Sequence, residues 1–404
     1  MNYSKFLDED SIRRVLSNNC GIPLKKEDNN YLSISDNIIG YLPNNLIIGC
    51  NGSNYINNTI LPYIDSIIKF SENMIVRDNY NIYETFKEKL NNYNTIVLDY
   101  DNLDNSMNYN IFNLIEKIYK KSDYKAINML KETVTYLLPD DKSNADPFWI
   151  NSARDLFSGM AIYYLQSEEK ISISNIYKKI QDFIDESKSI EFINSLNKES
   201  AAYISLSNTL LAPPETRKSI ISVFNQAINK YLTSDKLINI LNNNDIDFDK
   251  LDERFAIFIK GDNDIARSMI NILIYQINSL NSINRCHIIL PDFDTMYPIK
   301  NLPKIINNNK NINYTITIGS YTNLKNVYGL EQSEIIKMCF ENTIYLLSQD
   351  NNTLEEISYK CGDKENNTPL ITPFELLRLN KDEAIILMSR VYPIRINLEK
   401  YEVI

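Results

Sequence analysis

The stretch Asn44–Ile60, NNLIIGCNGSNYINNTI, constrains the fold of this chain more than any other. Leu46, Ile47 and Ile48 form an apolar run of strand length. Gly49, Asn51, Gly52 and Ser53 then break it, and Ile60, Ile64, Ile67 and Ile68 follow at helical spacing, with Asn57 or Asn58 placed to cap the helix. Strand, glycine turn and helix N-terminus is the layout of a phosphate-binding loop, in which backbone N–H groups and the helix dipole face an anion. The loop chemistry needs G-x-x-x-x-G-K-[ST]. Gly49 occupies the first position, but Asn54 stands at the second glycine, Tyr55 at the lysine and Ile56 at the hydroxyl. The scaffold of a nucleotide site is there without its phosphate chemistry.

Bulk properties exclude several classes. A chain of 404 residues with 44% hydrophobic and 23% charged residues is globular, and its length suits two or three domains, or one domain with a large insertion. A net charge of −10 argues against wholesale duplex-DNA binding, which needs clustered lysine and arginine. Cys20, Cys50, Cys286, Cys339 and Cys361 show no C-x-x-C spacing and read as reduced, buried thiols. His287 is the single histidine, so the expectation is no zinc site and no histidine-dependent triad. The N-terminus is polar, and no apolar run approaches the roughly 18–20 residues of a spanning helix. The expected location is the cytoplasm, with any membrane association made through partners.

Along the chain, a helix is expected around Ser11–Ser17 and a hairpin near Tyr31–Tyr41. Strands are expected at Met74–Val76 and Thr95–Tyr100, with a helix at Tyr80–Leu90 between them. This alternation predicts a parallel sheet covered on both faces. At Asp146-Pro147 an N-cap and a first-turn proline open an all-helical stretch that runs to about Lys250. Strands return at Arg254–Lys260, Cys286–Leu290, Tyr314–Ile318, Thr343–Leu347 and Ala384–Met388. The expected division is therefore residues 1–140 plus 251–404 as one α/β domain, with an all-α domain inserted over 141–250.

Five stretches in order carry a resemblance: DPFWINSARDLFSGMAIYYL (Asp146–Leu165), ETRKSIISVF (Glu215–Phe224), ILPDFDTMYPIKNLPKII (Ile289–Ile306), TIGSYTNLKNVYG (Thr317–Gly329) and LITPFELLRLNKDEAIILM (Leu370–Met388). Together they resemble the cytosolic part of type IV secretion coupling proteins. The resemblance implies a RecA-like P-loop NTPase fold, a mostly parallel sheet flanked by helices, with an inserted all-α domain. It implies function in conjugation or type IV secretion, moving DNA or protein cargo. It also implies G-S-G-K-T where this chain has Gly52, Ser53, Asn54, Tyr55 and Ile56, L-D-E-F where it has Leu290, Pro291, Asp292 and Phe293, and glutamine where it has Gly319. The family's N-terminal membrane helices have no counterpart in this sequence.

The departures share one consequence. Tyr55 supplies no fixed cation between phosphates, and Ile56 no oxygen for Mg²⁺. Pro291 lacks the carboxylate that orients magnesium-bound water, Asp292 is one methylene shorter than the catalytic glutamate, and Gly319 has no side chain to sense a γ-phosphate. Losing one transition-state stabiliser typically costs a factor of about 100–1,000. The expectation is a pseudo-ATPase without cofactor that serves as scaffold or adaptor. Its partners would be an intact coupling ATPase, a relaxase or effector cargo, and its oligomeric state is open between monomer, mixed assembly and the family's hexameric ring. One alternative is a working NTPase that uses ATP and Mg²⁺ and is completed in trans, with Arg254, Arg267 or Lys325 as donors. Another is a non-enzymatic nucleic-acid module using Lys178, Lys179, Arg217 and Lys218, although acids slightly outnumber bases in the helical stretch. Asp99 with Asp101, and Asp245, Asp247 and Asp249, read as solvated acids ahead of metal ligands. His287 reads as a satisfied core histidine.

Overall fold

The computed structural model describes residues 3–27, 30–36, 40–50, 52–140, 146–251, 253–280 and 283–398. Its strands are β1 (Ile22–Glu27), β2 (Asn30–Ile34), β3 (Asn45–Gly49), β4 (Asn73–Arg77), β5 (Asn94–Asp99), β6 (Phe255–Lys260), β7 (Cys286–Leu290), β8 (Ile312–Ile318), β9 (Asn342–Leu347), β10 (Glu383–Met388) and β11 (Ile394–Asn397). Among the described residues, β1 and β2 form a hairpin, and the other nine join one sheet in the order β11-β10-β9-β3-β8-β7-β4-β6-β5. β3 lies parallel to both β8 and β9, and β7 parallel to both β8 and β4. Only the β9-β10 and β10-β11 pairings of the large sheet are antiparallel among those whose direction is described. β3, β4, β7 and β8 are buried along their whole length, as strands covered on both faces must be.

The chain separates into two compact units: Met1–Thr95 with Leu251–Phe258 and Leu280–Ile404, and Ile96–Lys250 with Ile259–Ser279. In the first, one apolar core runs from Ile22 and Leu24 of the hairpin through Ile60, Ile64 and Ile67 to Ile289, Ile344 and Ile386. The second is helical, and no strand lies between β5 and β6 among the described residues. Its helices begin at Asn113–Tyr119 and Asp123–Leu137, and it includes Asp264–Asn278. Asp146 caps the helix Pro147–Ser167 as its sequence requires, accepting the Phe148 N–H at 2.9 Å. Phe157, buried in this unit, stacks on Phe112 and meets Phe224 at a tilt. Arg217 is buried there and donates to the Phe183 carbonyl, so it belongs to the packing and not to a nucleic-acid surface.

Three local expectations are corrected. The hairpin is formed by Ile22–Glu27 and Asn30–Ile34, earlier than Tyr31–Tyr41. The polar residues Lys25 and Lys26 hide the strand character of β1, whose Ile22 and Leu24 nonetheless point into the core. Its register shifts between Pro23 and Lys25, since a proline has no N–H for the ladder. The helix after β3 starts as a π-helical turn, Ile56–Ile60, before Leu61–Phe70. Asn57 and Asn58 therefore lie inside it and cap nothing, and Asn58 is buried. The helix expected over Tyr80–Leu90 is α only over Ile82–Phe86 and 3₁₀ over Lys87–Leu90. Asp78 sets its start by accepting the N–H groups of Ile82 at 2.6 Å and Tyr83 at 3.0 Å.

Gly159 fixes how closely two helices of the second unit approach. A Cβ there would lie 2.6 Å from Leu206 Cγ and 2.8 Å from its Cδ2 on the helix Ala201–Leu210. Gly159→Ala is expected to destabilise this unit by about 1–3 kcal/mol through overpacking. Urea unfolding followed by fluorescence of Trp149, the one tryptophan of the chain and a residue of the Gly159 helix, measures it.

Candidate functional site

In an open sheet, parallel neighbours bring the loops after their carboxyl ends together at one edge. β3, β8, β7 and β4 are consecutive and parallel, so the segments after Gly49, Ile318, Leu290 and Arg77 share that edge. All of them belong to the first unit.

The loop after β3 turns sharply before the helix that follows it. Gly52 has φ +97° and Asn54 φ +54°, two left-handed positions of the kind glycine and asparagine tolerate. The Cys50 N–H donates to Leu347 O at 3.1 Å, and the Ser53 N–H to Cys50 O at 3.0 Å. At Gly49 a Cβ would lie 2.6 Å from Ser53 Oγ and 3.1 Å from Tyr55 Cβ, so a side chain there requires Ser53 to turn and Tyr55 to shift. Ser53 is buried, and its hydroxyl has no hydrogen-bond partner among the described residues. Asn54 bonds forward, to Asn57 and Asn58, and Ile56 packs against the core. Asn51 lies outside the described residues.

Tyr55 decides what the loop does. It is buried, at 8% exposure, and its hydroxyl donates to Asp292 Oδ1. Tyr80, just beyond β4, donates to the other oxygen, Asp292 Oδ2, at 2.6 Å. The two phenol oxygens are 2.8 Å apart and the rings meet edge to face. Burial, and then the hydrogen bond to the Asp292 carboxylate, push the Tyr55 phenol far above its ordinary value. The Tyr80 phenol is raised for the same two reasons. Both phenols keep their protons at any physiological pH and remain donors.

Asp292 itself has φ +50°, and its N–H donates to Thr317 Oγ1 at 2.8 Å. Arg77 holds this turn from below. It is 2% exposed and donates to the carbonyl oxygens of Pro291 at 2.7 Å and Asp292 at 2.8 Å, and to Thr295 Oγ1 at 3.1 Å. Asp294 sits deeper, and Oδ2 accepts the Gly319 N–H at 2.8 Å and Asn323 Nδ2 at 3.0 Å. Burial raises the Asp294 carboxyl, and these two donors offset part of that. At Gly319 a Cβ would come within 3.1 Å of Asn323 Nδ2 and 3.5 Å of Asp294 Oδ2, so a side chain there presses on the Asn323–Asp294 hydrogen bond.

Of the sequence-predicted residues, Gly49, Gly52, Ser53, Asn54, Tyr55, Ile56, Asp292 and Gly319 all fall on this edge or at the helix that starts there. Arg77, Tyr80, Asp294 and Asn323 complete it and were missed. Only Arg77 had a local signal, a charged residue closing the apolar run Met74–Val76; Tyr80, Asp294 and Asn323 lie three to five residues beyond their strands, where no pattern marks them. Other candidates serve structure. Asp99 accepts the N–H groups of Asp101 and Asn102, and pairs with Lys260 at 3.6 Å. Asp247 and Asp249 pair with Lys117, and Asp245 accepts from Asn108. Arg254 stacks on Tyr93, Arg267 pairs with Asp262 and Asp264, and Lys325 is exposed.

Tyr55→Phe removes a buried donor from a carboxylate. It is expected to lower the unfolding free energy of the first unit by about 1–3 kcal/mol. Tyr80→Phe should cost less, since Tyr80 is 41% exposed. Chemical denaturation of both variants tests this ranking.

The sequence profile of the family described as type IV secretory system conjugative DNA transfer matches residues 62–365. That segment begins after the glycine loop and includes Asp292 and Gly319. No curated protein sequence matches the chain. Among solved structures it is similar to the plasmid coupling protein TrwB in complex with the ATP analogue ADPNP, at 13% identity over 100% of this chain and 94% of that one, with a TM-score of 0.74. It is similar to the unbound monoclinic form of the coupling protein TrwBdeltaN70, at 14% identity over 100% and 95%, with a TM-score of 0.71. It is also similar to VirB4 of Thermoanaerobacter pseudethanolicus, at 11% identity over 96% and 98%, with a TM-score of 0.58. At these identities the likeness establishes the fold: a RecA-like, mostly parallel sheet flanked by helices, with an all-α domain.

Proposed function

This chain belongs to the type IV secretory system conjugative DNA transfer family, and from that premise we propose that it is a coupling-protein-type subunit whose nucleotide site is catalytically silent. Membership makes it a component of conjugative type IV secretion. Silence at the site is the further step, and one observation carries it. Where the family motif implies a lysine for the phosphates, Tyr55 donates instead to Asp292, the residue at the position of the catalytic glutamate. Tyr80 takes the other oxygen of the same carboxylate. A triphosphate arriving here would meet two acids, Asp292 and Asp294. The nearest buried cation, Arg77, is turned to backbone carbonyls. Preorganised positive charge is what phosphoryl transfer asks of a protein.

TrwB has been seen with ADPNP and with ADP and Mg²⁺. In this chain Tyr55 and Ile56 stand where a phosphate loop has its lysine and hydroxyl, so the same nucleotide finds neither cation nor Mg²⁺ ligand there. The proposed role is a scaffold or adaptor for an intact coupling ATPase, a relaxase or effector cargo, held at the inner face of the membrane through those partners. No helix among the described residues is long and apolar enough to cross a membrane. The division into residues 1–140 with 251–404 as the nucleotide-type domain, and 141–250 as the inserted helical domain, is part of the same proposal. A trans-completed NTPase is the second reading, and the exposure of Lys325 on the helix Tyr321–Tyr328 is what favours it.

Calorimetric titration with MgATP, paired with a phosphate-release assay, tests the proposal on the chain alone and mixed with an intact coupling ATPase. The expected result is no saturable heat up to about 1 mM nucleotide and no turnover beyond that of the partner. Micromolar binding with hydrolysis abolished by Lys325→Ala would overturn it in favour of the trans-completed enzyme.

A further inference from the structure

We propose that Cys20, Glu72 and His287 form a site for one Zn²⁺ ion, with Cys20 Sγ, Glu72 Oε2 and His287 Nε2 as its protein ligands. The three donors come from distant parts of the first unit: His287 lies 215 residues from Glu72 and 267 from Cys20. The fold nevertheless brings their ligand atoms within 4.8 Å of one another. His287 Nε2 is 2.5 Å from Glu72 Oε2 and 3.7 Å from Cys20 Sγ. Zn–N and Zn–S bonds of about 2.0 and 2.3 Å in a tetrahedron put ligand atoms about 3.3–3.8 Å apart. The nitrogen–sulfur edge already has that length, and the nitrogen–oxygen edge reaches it by opening less than about 1 Å. Thiolate, imidazole and carboxylate are the donor set zinc accepts.

The surroundings are those of a metal site. Cys20 and His287 are buried, at 5% and 1% exposure. Tyr63 Oη lies 2.7 Å from His287 Nδ1 and accepts from Asn313 Nδ2 at 3.0 Å. It fixes the imidazole through the nitrogen the ion does not use, which is the usual outer-shell arrangement. Arg285 Nη1 lies 3.3 Å from Glu72 Oε1 and engages the oxygen not needed as a ligand. Beside Cys20, the Gly21 N–H donates to Ser66 Oγ at 3.3 Å, and a water takes the fourth position on the ion. On binding, the Cys20 thiol releases its proton to solvent and the ring carries its proton on Nδ1, facing Tyr63. The dication, thiolate, carboxylate and neutral imidazole then sum to zero charge, which a buried site requires. A hydrogen-bond network alone accounts for His287 and Glu72, but sulfur is a weak partner in such a network, and Cys20 supplies its third corner. The expectation of no zinc site rests on His287 being the single histidine, a count that does not bear on a mixed set of one thiolate, one carboxylate and one imidazole.

Full-length protein stripped with a chelator and titrated with Zn²⁺ against a chromophoric competitor tests the site, followed by loading with Co²⁺ alone. The expected results are one Zn²⁺ per chain and a thiolate-to-cobalt charge-transfer band. Tyr63→Phe should weaken Zn²⁺ binding by about 10–100-fold, and Cys20→Ser by more than that. Zn²⁺ binding in Cys20→Ser equal to that of the parent overturns the proposal, as does a Co²⁺ spectrum without a thiolate band. Cys20→Ser changes a single buried atom, and the Co²⁺ spectrum needs only the parent protein, so the outcome does not depend on a variant that fails to fold.

Discussion

The guanidinium of Arg77 bound to the carbonyl oxygens of Pro291 and Asp292 is the contact on which the candidate site depends. It ties the end of β4 to the turn after β7, next to β7 in the sheet. A buried cation is costly unless every donor is directed at an acceptor, and Arg77 finds carbonyls and a threonine hydroxyl. The turn thus held carries Asp292 in a left-handed conformation that a non-glycine residue adopts only when its surroundings insist. From there the carboxylate meets Tyr55 on one side and Tyr80 on the other. Those two contacts in turn place the ring of Tyr55 over Gly49 and close the loop after β3.

Tyr55 gives this edge an electrostatic character unlike that of a phosphate loop with its lysine. A lysine offers a charge that reaches for anions supplied from outside. A phenol offers one proton, and the resident acid takes it. Burial strengthens the preference by holding both phenols in their protonated form. Asp294 shows the same inward logic, its carboxylate satisfied by the Gly319 N–H and by Asn323. The edge where related folds meet a ligand is here closed upon itself by short hydrogen bonds.

The helical unit is held by different means. Its core holds the aromatic residues Phe112, Phe157 and Phe224, and Gly159 sets its closest helix approach. Its charged residues are largely committed locally. Arg217 is turned inward to carbonyls, Lys117 bridges Asp247 and Asp249, and Lys188 pairs with Asp182. Nothing in these arrangements presents the contiguous basic stripe that phosphate backbones attract.

What the sequence by itself determined was periodic or contiguous. The apolar runs of β3, β7 and β8, the capped start at Asp146-Pro147 and the strand–glycine–helix course around Gly49 are local signals that neighbouring residues enforce together. The residue types at positions 54, 55 and 56 likewise ruled out an ordinary phosphate loop before any fold was known. Only the tertiary structure decided where the phenol of Tyr55 goes, that Tyr80 and Arg77 join it, and that Cys20, Glu72 and His287 meet. Side chains brought together by parallel strands come from segments separated by more than two hundred residues. No periodicity spans such a distance, because it is the order of strands in the sheet, and not the order of residues in the chain, that makes them neighbours.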